Sequence, residues 1–183
     1  MAHSRQRSSV GVEDAAKSLP DAWVVRAEKN GQHESLNFRE RVASINWNDF
    51  PNPFTHSRVA LEAHAERAGH GPQAPRQIWR FTHDIPRGAL IVLPRLDPQH
   101  QGEVALGWCE GSAYRVPDAP DEEPNLRLPV KWIVTDMPRI HFSAATKRRF
   151  INPHDTVSSI RSPEVVADIL QHLPREERRD EAR

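Results

Sequence analysis

IWRFTHDIPRGALIVLPRLDPQHQGEVALGW, from Ile78 to Trp108, is the stretch whose reading decides the fold. It reads as the end of a short helix, a tight turn at Pro86-Arg87-Gly88, and a strand over Ala89 to Leu93. A polar loop from Arg95 to Gln101 then leads into a second strand, Glu103 to Trp108. Proline presets φ at the second turn position, and the glycine two residues on tolerates φ of either sign. The first strand is almost unbroken apolar and β-branched sequence, the pattern of a strand buried on both faces. A hairpin of this kind, entered from a helix, suits a small closed barrel better than an open sheet.

Upstream, Ala22 to Ala27 (AWVVRA) has a β-branched centre and runs into a turn signal at Lys29-Asn30-Gly31. Val42 to Trp47 is a second strand with partial alternation, Val42, Ser44 and Asn46 against Ala43, Ile45 and Trp47. Prolines 51 and 53 break the chain. A helix over His56 to Ala68 follows, with Thr55 as its cap and Val59, Ala60, Ala63 and Arg67 as its weak inner face. Gly69 and Gly71 end it, Pro72 and Pro75 enforce the stop, and a second short helix spans Arg76 to Asp84.

Downstream, Ser112 to Val116 is a short strand, PDAPDEEP (Pro117 to Pro124) an acidic loop, and Arg127 to Asp136 a third long strand. Ser143 caps a helix over Ala144 to Phe150, and Asp155 to Ile160 is a strand or a turn. Pro163 opens the last helix at the position where its missing N–H costs nothing. Val165, Val166, Ile169 and Leu173 then recur at helical spacing. The expectation is one α+β domain over residues 21–173, a small β-barrel of five or six strands flanked by helices. Residues 1–20 and 174–183 read as a disordered arm and a disordered charged tail.

The composition narrows the function classes. Among 183 residues, 25 are basic and 25 acidic, so nucleic-acid binding would have to rest on a local patch. The single cysteine, Cys109, rules out an intrachain disulfide and a cysteine-based zinc site, and reads as a buried thiol. No apolar run reaches the ~20 residues of a membrane helix, and the N-terminus lacks the apolar core of a secretory signal. A soluble, cytoplasmic protein is expected. There is no Walker-type or GxGxxG run, no HExxH and no GxSxG. The ten histidines include His56 and His64, about two turns apart on one helix, a poor spacing for a metal. No metal, cofactor or catalytic residue is assigned.

The order of helix, P-x-G turn, ALIVLP, polar loop and VALGW resembles the middle of the EVE/PUA-like domains. It is most similar to the N-terminal specificity module of Mrr-like restriction-system proteins. AWVVRAEKNGQHE (Ala22 to Glu34) with VASINW (Val42 to Trp47) resembles that module's opening. YRVPDAP (Tyr114 to Pro120) with LPVKWIVTDMPR (Leu128 to Arg139) resembles its close. The resemblance runs from Asp21 to Ile160 and implies a PUA-like barrel of EVE/YTH type. It implies a reader of methylated or hydroxymethylated bases such as 5-methylcytosine in DNA, working by base flipping in a restriction or defence system. The nuclease of such a system would be separately encoded, because the Asp and Glu-x-Lys or Gln-x-Lys set of an Mrr-type nuclease is missing. An RNA-binding PUA-like module and a protein–protein adaptor remain alternatives.

By the same resemblance, Trp47, at a strand exit before a polar loop, is the leading wall of an aromatic cage for a flipped base. Trp79 is the second wall, while Trp23 and Trp132 read as core and Trp108 stays open between the two roles. Sandwiching a base between aromatic rings returns ~1–3 kcal/mol. Ser44, Asn46, Asn48 and Asp49 are close enough in sequence to read the base edge. Lys29, Arg76, Arg80, Arg87, Lys147, Arg148 and Arg149 are the candidate phosphate contacts.

Overall fold

The computed structural model describes residues 19–27, 31–151 and 155–178. Lys29, His154, most of the N-terminal arm and the last five residues of the tail lie outside the described residues.

The elements run β1 (Ala22–Val25), α1 (Glu34–Arg39), β2 (Val42–Ile45), α2 (Arg58–Ala68) and α3 (Gln73–Trp79), which continues as one π-helical stretch over Arg80–Asp84. They continue as β3 (Leu90–Pro94), β4 (Glu103–Cys109), β5 (Tyr114–Arg115), β6 (Leu126–Pro138), α4 (Ala144–Ile151), β7 (Val157–Ile160) and α5 (Pro163–Leu170). The fold is α+β. One seven-stranded sheet has the order β2-β6-β4-β3-β1-β7, with β5 pairing to β6. Only the β1–β3 pair is parallel; the others are antiparallel. The sheet curls into a half-barrel, and its end strands β2 and β7 do not pair with each other. The strand count exceeds the expected five or six by one, and β5 and β7 fall within the stretches read as a short strand, Ser112 to Val116, and as a strand or turn, Asp155 to Ile160.

The hairpin β3–β4 is central, and β3 is buried along its whole length. Leu90 and Val92 join one core cluster, with Ala22, Val24, Leu106 and Trp108, covered by α4 and α5 through Phe150, Val165 and Ile169. Ile91 joins the other, with Trp23, Ile45 and Leu128, covered by α2 and α3 through Leu61, Ile78 and Phe81. Helices thus flank both faces, which is why ALIVL carries no polar alternation. Burying an aliphatic side chain of this size contributes roughly 1.5–3 kcal/mol, so this strand is the thermodynamic centre of the molecule.

Gly107 sets the bend. The β4–β6 register shifts between Val104 and Gly107. A Cβ at Gly107 would lie 2.6 Å from the Lys131 carbonyl oxygen. Only a glycine lets the two backbones approach this closely at a bulge, and the bulge lets the long strand β6 swing from β4 to β2.

Several local expectations change. Helix α1 has no counterpart in the sequence reading; its six residues are too few to show a period. It covers the second face of β2, so all four β2 residues are buried rather than alternating. Ser57, not Thr55, caps α2, its hydroxyl accepting from the Ala60 N–H at 3.3 Å. The later start turns Leu61 and Ala65 inward and leaves Val59 72% exposed. Pro75 does not stop a helix but sits in the first turn of α3, where the N–H it lacks has no intrahelical partner anyway. Part of the expected tail is held in place: Arg178 donates to the Leu173 carbonyl at 2.7 Å, and Glu177 pairs with Lys131. Among the described residues no helix is long and apolar enough to cross a membrane.

Candidate nucleic-acid interface

The basic run of α4 is sorted by the helix itself. Thr146 and Phe150, four residues apart, are buried, so Arg148 and Arg149 are left exposed on the other side. There they meet Arg80, from the π-helical stretch after α3, and Arg161, from the joint between β7 and α5. The four arginines line one groove of about 750 Å³ along the outer side of β7, with Ser158, Ser159 and Ser162. Among the described residues none of these guanidiniums has an ion-pair or hydrogen-bond partner.

The floor of the groove is stapled. Arg26, at the end of β1, donates from Nη2 to the Phe150 carbonyl at 2.8 Å and from Nε to the Asp155 carbonyl at 3.1 Å. Burial lowers the pKa of Arg26 and the charge of Arg139 lowers it further, against the opposing pull of Asp155. Buried Gln77 on α3 donates to Asp155 Oδ1 at 2.7 Å and accepts from the Val157 N–H at 2.6 Å. Among the described residues Asp155 is the one carboxylate lining the groove, and its Oδ1 is held by Gln77.

The remaining candidates fall elsewhere. Arg87 is exposed at its turn, and Lys147 is half-buried outside the groove. Arg76 is held by Gln73, with its Nε buried and unpartnered. Ser44 is a correction: it is 1% exposed and donates its hydroxyl to Asn37, because α1 closes over that face of β2. It has no path to a ligand. Asn46 is half-buried, while Asn48 is spent on the acidic loop, donating to the carbonyls of Asp121 and Glu123 at 3.1 Å each. Asp49 is exposed and lies 2.5 Å from His70 Nε2.

Trp47 and Trp79 are both half-buried against the same core cluster but belong to different aromatic groups. Trp47 stands edge-on to Phe50 at 5.4 Å, and Phe50 in turn touches His64 and His70. Trp79 is stacked on exposed His83 at 3.8 Å and 7°, and His83 lies 6.0 Å from Phe54. No ring contact joins the two tryptophans among the described residues. Trp108 resolves to core, as does Trp23, and Trp132 is half-buried with its indole N–H on the Asn37 and Val42 carbonyls. Cys109 is buried. No group of three metal-ligating side chains occurs among the described residues.

No protein-family model matches this sequence, and a search of curated proteins finds no match.

Arg161 and the three serines are the groove residues that sequence reading missed. The signal was present as SSIRSP (Ser158 to Pro163), a polar-basic run beside a strand. Nothing local tied it to KRR (Lys147 to Arg149).

Proposed function

We propose that this chain is a non-catalytic nucleic-acid-binding module on a PUA-like half-barrel, reading a modified base in DNA within a restriction or defence system. The observation that carries the reading is the convergence of Arg80, Arg148, Arg149 and Arg161, from three separate parts of the chain, in one groove. Guanidiniums that share a groove without an ion-pair partner among the described residues repel one another, and a backbone of phosphates relieves that repulsion while releasing counter-ions.

In this reading electrostatics favours Trp79 over Trp47. Trp47 stands beside the acidic loop, whose Asp121 and Glu123 carbonyls are tied to its neighbour Asn48, and near Asp49. Glu123 is paired with Arg127 at 3.0 Å, but Asp121 and Glu122 have no ion pair among the described residues, so a polyanion is disfavoured there within a Debye length of ~8 Å. Trp79 is followed directly by groove-lining Arg80. Trp79, with His83 on its face, is therefore the better base platform, and Trp47 is mainly a packing residue.

A binding panel tests this. Duplexes with and without 5-methylcytosine, matched single strands and matched RNA are compared at equal salt. Tighter binding to modified DNA is the expected result; preference for RNA would move the reading to an RNA module, which exploits the 2′-OH. Trp79→Ala should weaken binding about ten- to a hundredfold, the loss of one stacked base, with melting almost unchanged. Trp47→Ala should lower stability by ~2 kcal/mol, below the 3–5 kcal/mol of a fully buried tryptophan, and leave affinity nearly intact. Cleavage of modified DNA by the purified chain with Mg²⁺ would overturn the non-catalytic part.

A further inference from the structure

We infer that the arginine groove is a path for a single strand, holding about two successive nucleotides by their backbone rather than docking the face of a duplex. The inference rests on the nucleic-acid-binding reading above and adds its strandedness and its residues, with Arg161 as the central contact.

Three observations carry it. The first is placement. Arg80 comes from the π-helical stretch above the sheet edge, Arg148 and Arg149 from α4, and Arg161 from the β7–α5 joint. Cations from several elements around one concavity surround a backbone; they do not present the row of contacts along a flat or convex face that a duplex meets. The second is size. A groove of about 750 Å³ falls within the ~300–1,000 Å³ of sites that enclose a small organic ligand. That admits one or two nucleotides and excludes the width of a double helix.

The third is the chemistry between the charges. Ser158, Ser159 and Ser162, all half-buried, line the groove; as neighbours on β7, Ser158 and Ser159 turn to opposite faces of the strand. Ser162 stands at the start of α5 without making a side-chain cap hydrogen bond. Guanidiniums with serines beside them suit phosphate oxygens, which take charge-assisted hydrogen bonds from both, and Asp155, tied to Gln77, is the one carboxylate among the described lining residues. Among the described residues no large aromatic ring lines the groove. It thus holds backbone and leaves the bases of the strand outside; Trp79, next to Arg80 in the chain, does not itself line the groove.

The test uses the full chain with a fluorescent oligothymidine of about a dozen nucleotides, a length suited to a single-strand site, and a duplex of equal length. Affinities are measured by anisotropy between about 50 and 200 mM salt. The expected result is tighter binding of the single strand than of the unmodified duplex. Arg161→Ala should lose about three- to tenfold in affinity and reduce the salt slope by about one. Arg161→Lys should keep the slope. Arg161 is exposed and makes no side-chain bond among the described residues, so circular dichroism melting should report an intact fold.

If Arg161→Ala binds the single strand as the wild type does while Trp79→Ala does not, the strand runs elsewhere. The present inference then falls and the base-reading proposal stands. If inorganic phosphate or pyrophosphate competes at concentrations equal to the oligonucleotide's, the groove is a small-anion site and the strand path is overturned. If no nucleic acid binds at all, both fall together.

Discussion

Glu34 is the residue on which most depends. It is 2% exposed, pairs with buried Arg95, and accepts from the backbone N–H groups of Leu96 at 2.6 Å and Asp97 at 3.1 Å. Arg95 in turn donates to the Thr135 carbonyl at 2.7 Å and lies 4.8 Å above the Phe38 ring. Gly31, at φ +66, must be glycine: a Cβ there would stand 2.5 Å from the Asp97 nitrogen and closer still to the Glu34 carboxylate. Glu34→Ala leaves a buried guanidinium without its counter-ion and should destabilise the protein by ~3–5 kcal/mol in urea denaturation at neutral pH. The double variant Glu34→Leu with Arg95→Met should recover most of that loss, because an apolar pair of similar volume often does as well as a buried ion pair. An intact midpoint for Glu34→Ala alone would show that the pair contributes little. Ser44 makes the opposite point about sequence reading. Its position beside Asn46 and Asn48 suggested a polar edge, but a side chain's exposure depends on what covers it, and α1 covers Ser44.

At the scale of elements, α4 and α5 are joined by a clamp. Burial pushes the Asp168 carboxyl up, but hydrogen bonds from the Thr146 hydroxyl, the Ser143 backbone N–H and hydroxyl, and the Gln171 amide outweigh it and hold it below its usual value. A folded pKa below the unfolded one, ~3.9 for a free aspartate, means that the stabilisation is fully present above about pH 4–5 and is lost as pH falls through the folded value. Asp168→Asn should therefore melt lower than the wild type at pH 6–7, with the gap closing as pH falls below about 4. Melting curves across that range check it, and a gap that widens in acid would reverse the sign. Since Arg148, Arg149 and Arg161 sit on the two sides of this clamp, loosening it should also weaken the groove. Ser143 as the cap of α4 and Pro163 at the start of α5 were both readable in the sequence, because caps are local chemistry.

The whole molecule is neutral, 25 basic against 25 acidic residues, yet its charge is sorted: arginines along β7, carboxylates in the loop from Pro117 to Pro124. A bound polyanion should therefore stabilise the fold through the groove alone. A single-stranded oligonucleotide at a hundred times its Kd contributes ~2.7 kcal/mol, which for a domain of this size is a rise of about 5–10 °C in Tm. The triple substitution of Arg148, Arg149 and Arg161 to Ala should abolish the rise while keeping the unliganded Tm within a few degrees. A rise that survives the triple variant would place the anion elsewhere.

By itself the sequence determined the central hairpin, the burial of β3, most strand positions, and the absence of a basic global field. These follow from periodicity and composition, which any stretch carries with it. Tertiary structure alone decided the rest. It turned Leu61 rather than Val59 to the core, covered Ser44, bridged Glu34 to Arg95 across 61 positions, and packed Trp47 edge-on against Phe50. It also brought Arg80, Arg148, Arg149 and Arg161 together. The physical reason is one of range: hydrophobic period and capping act over a few residues, whereas coverage and charge convergence depend on which elements the curled sheet makes neighbours.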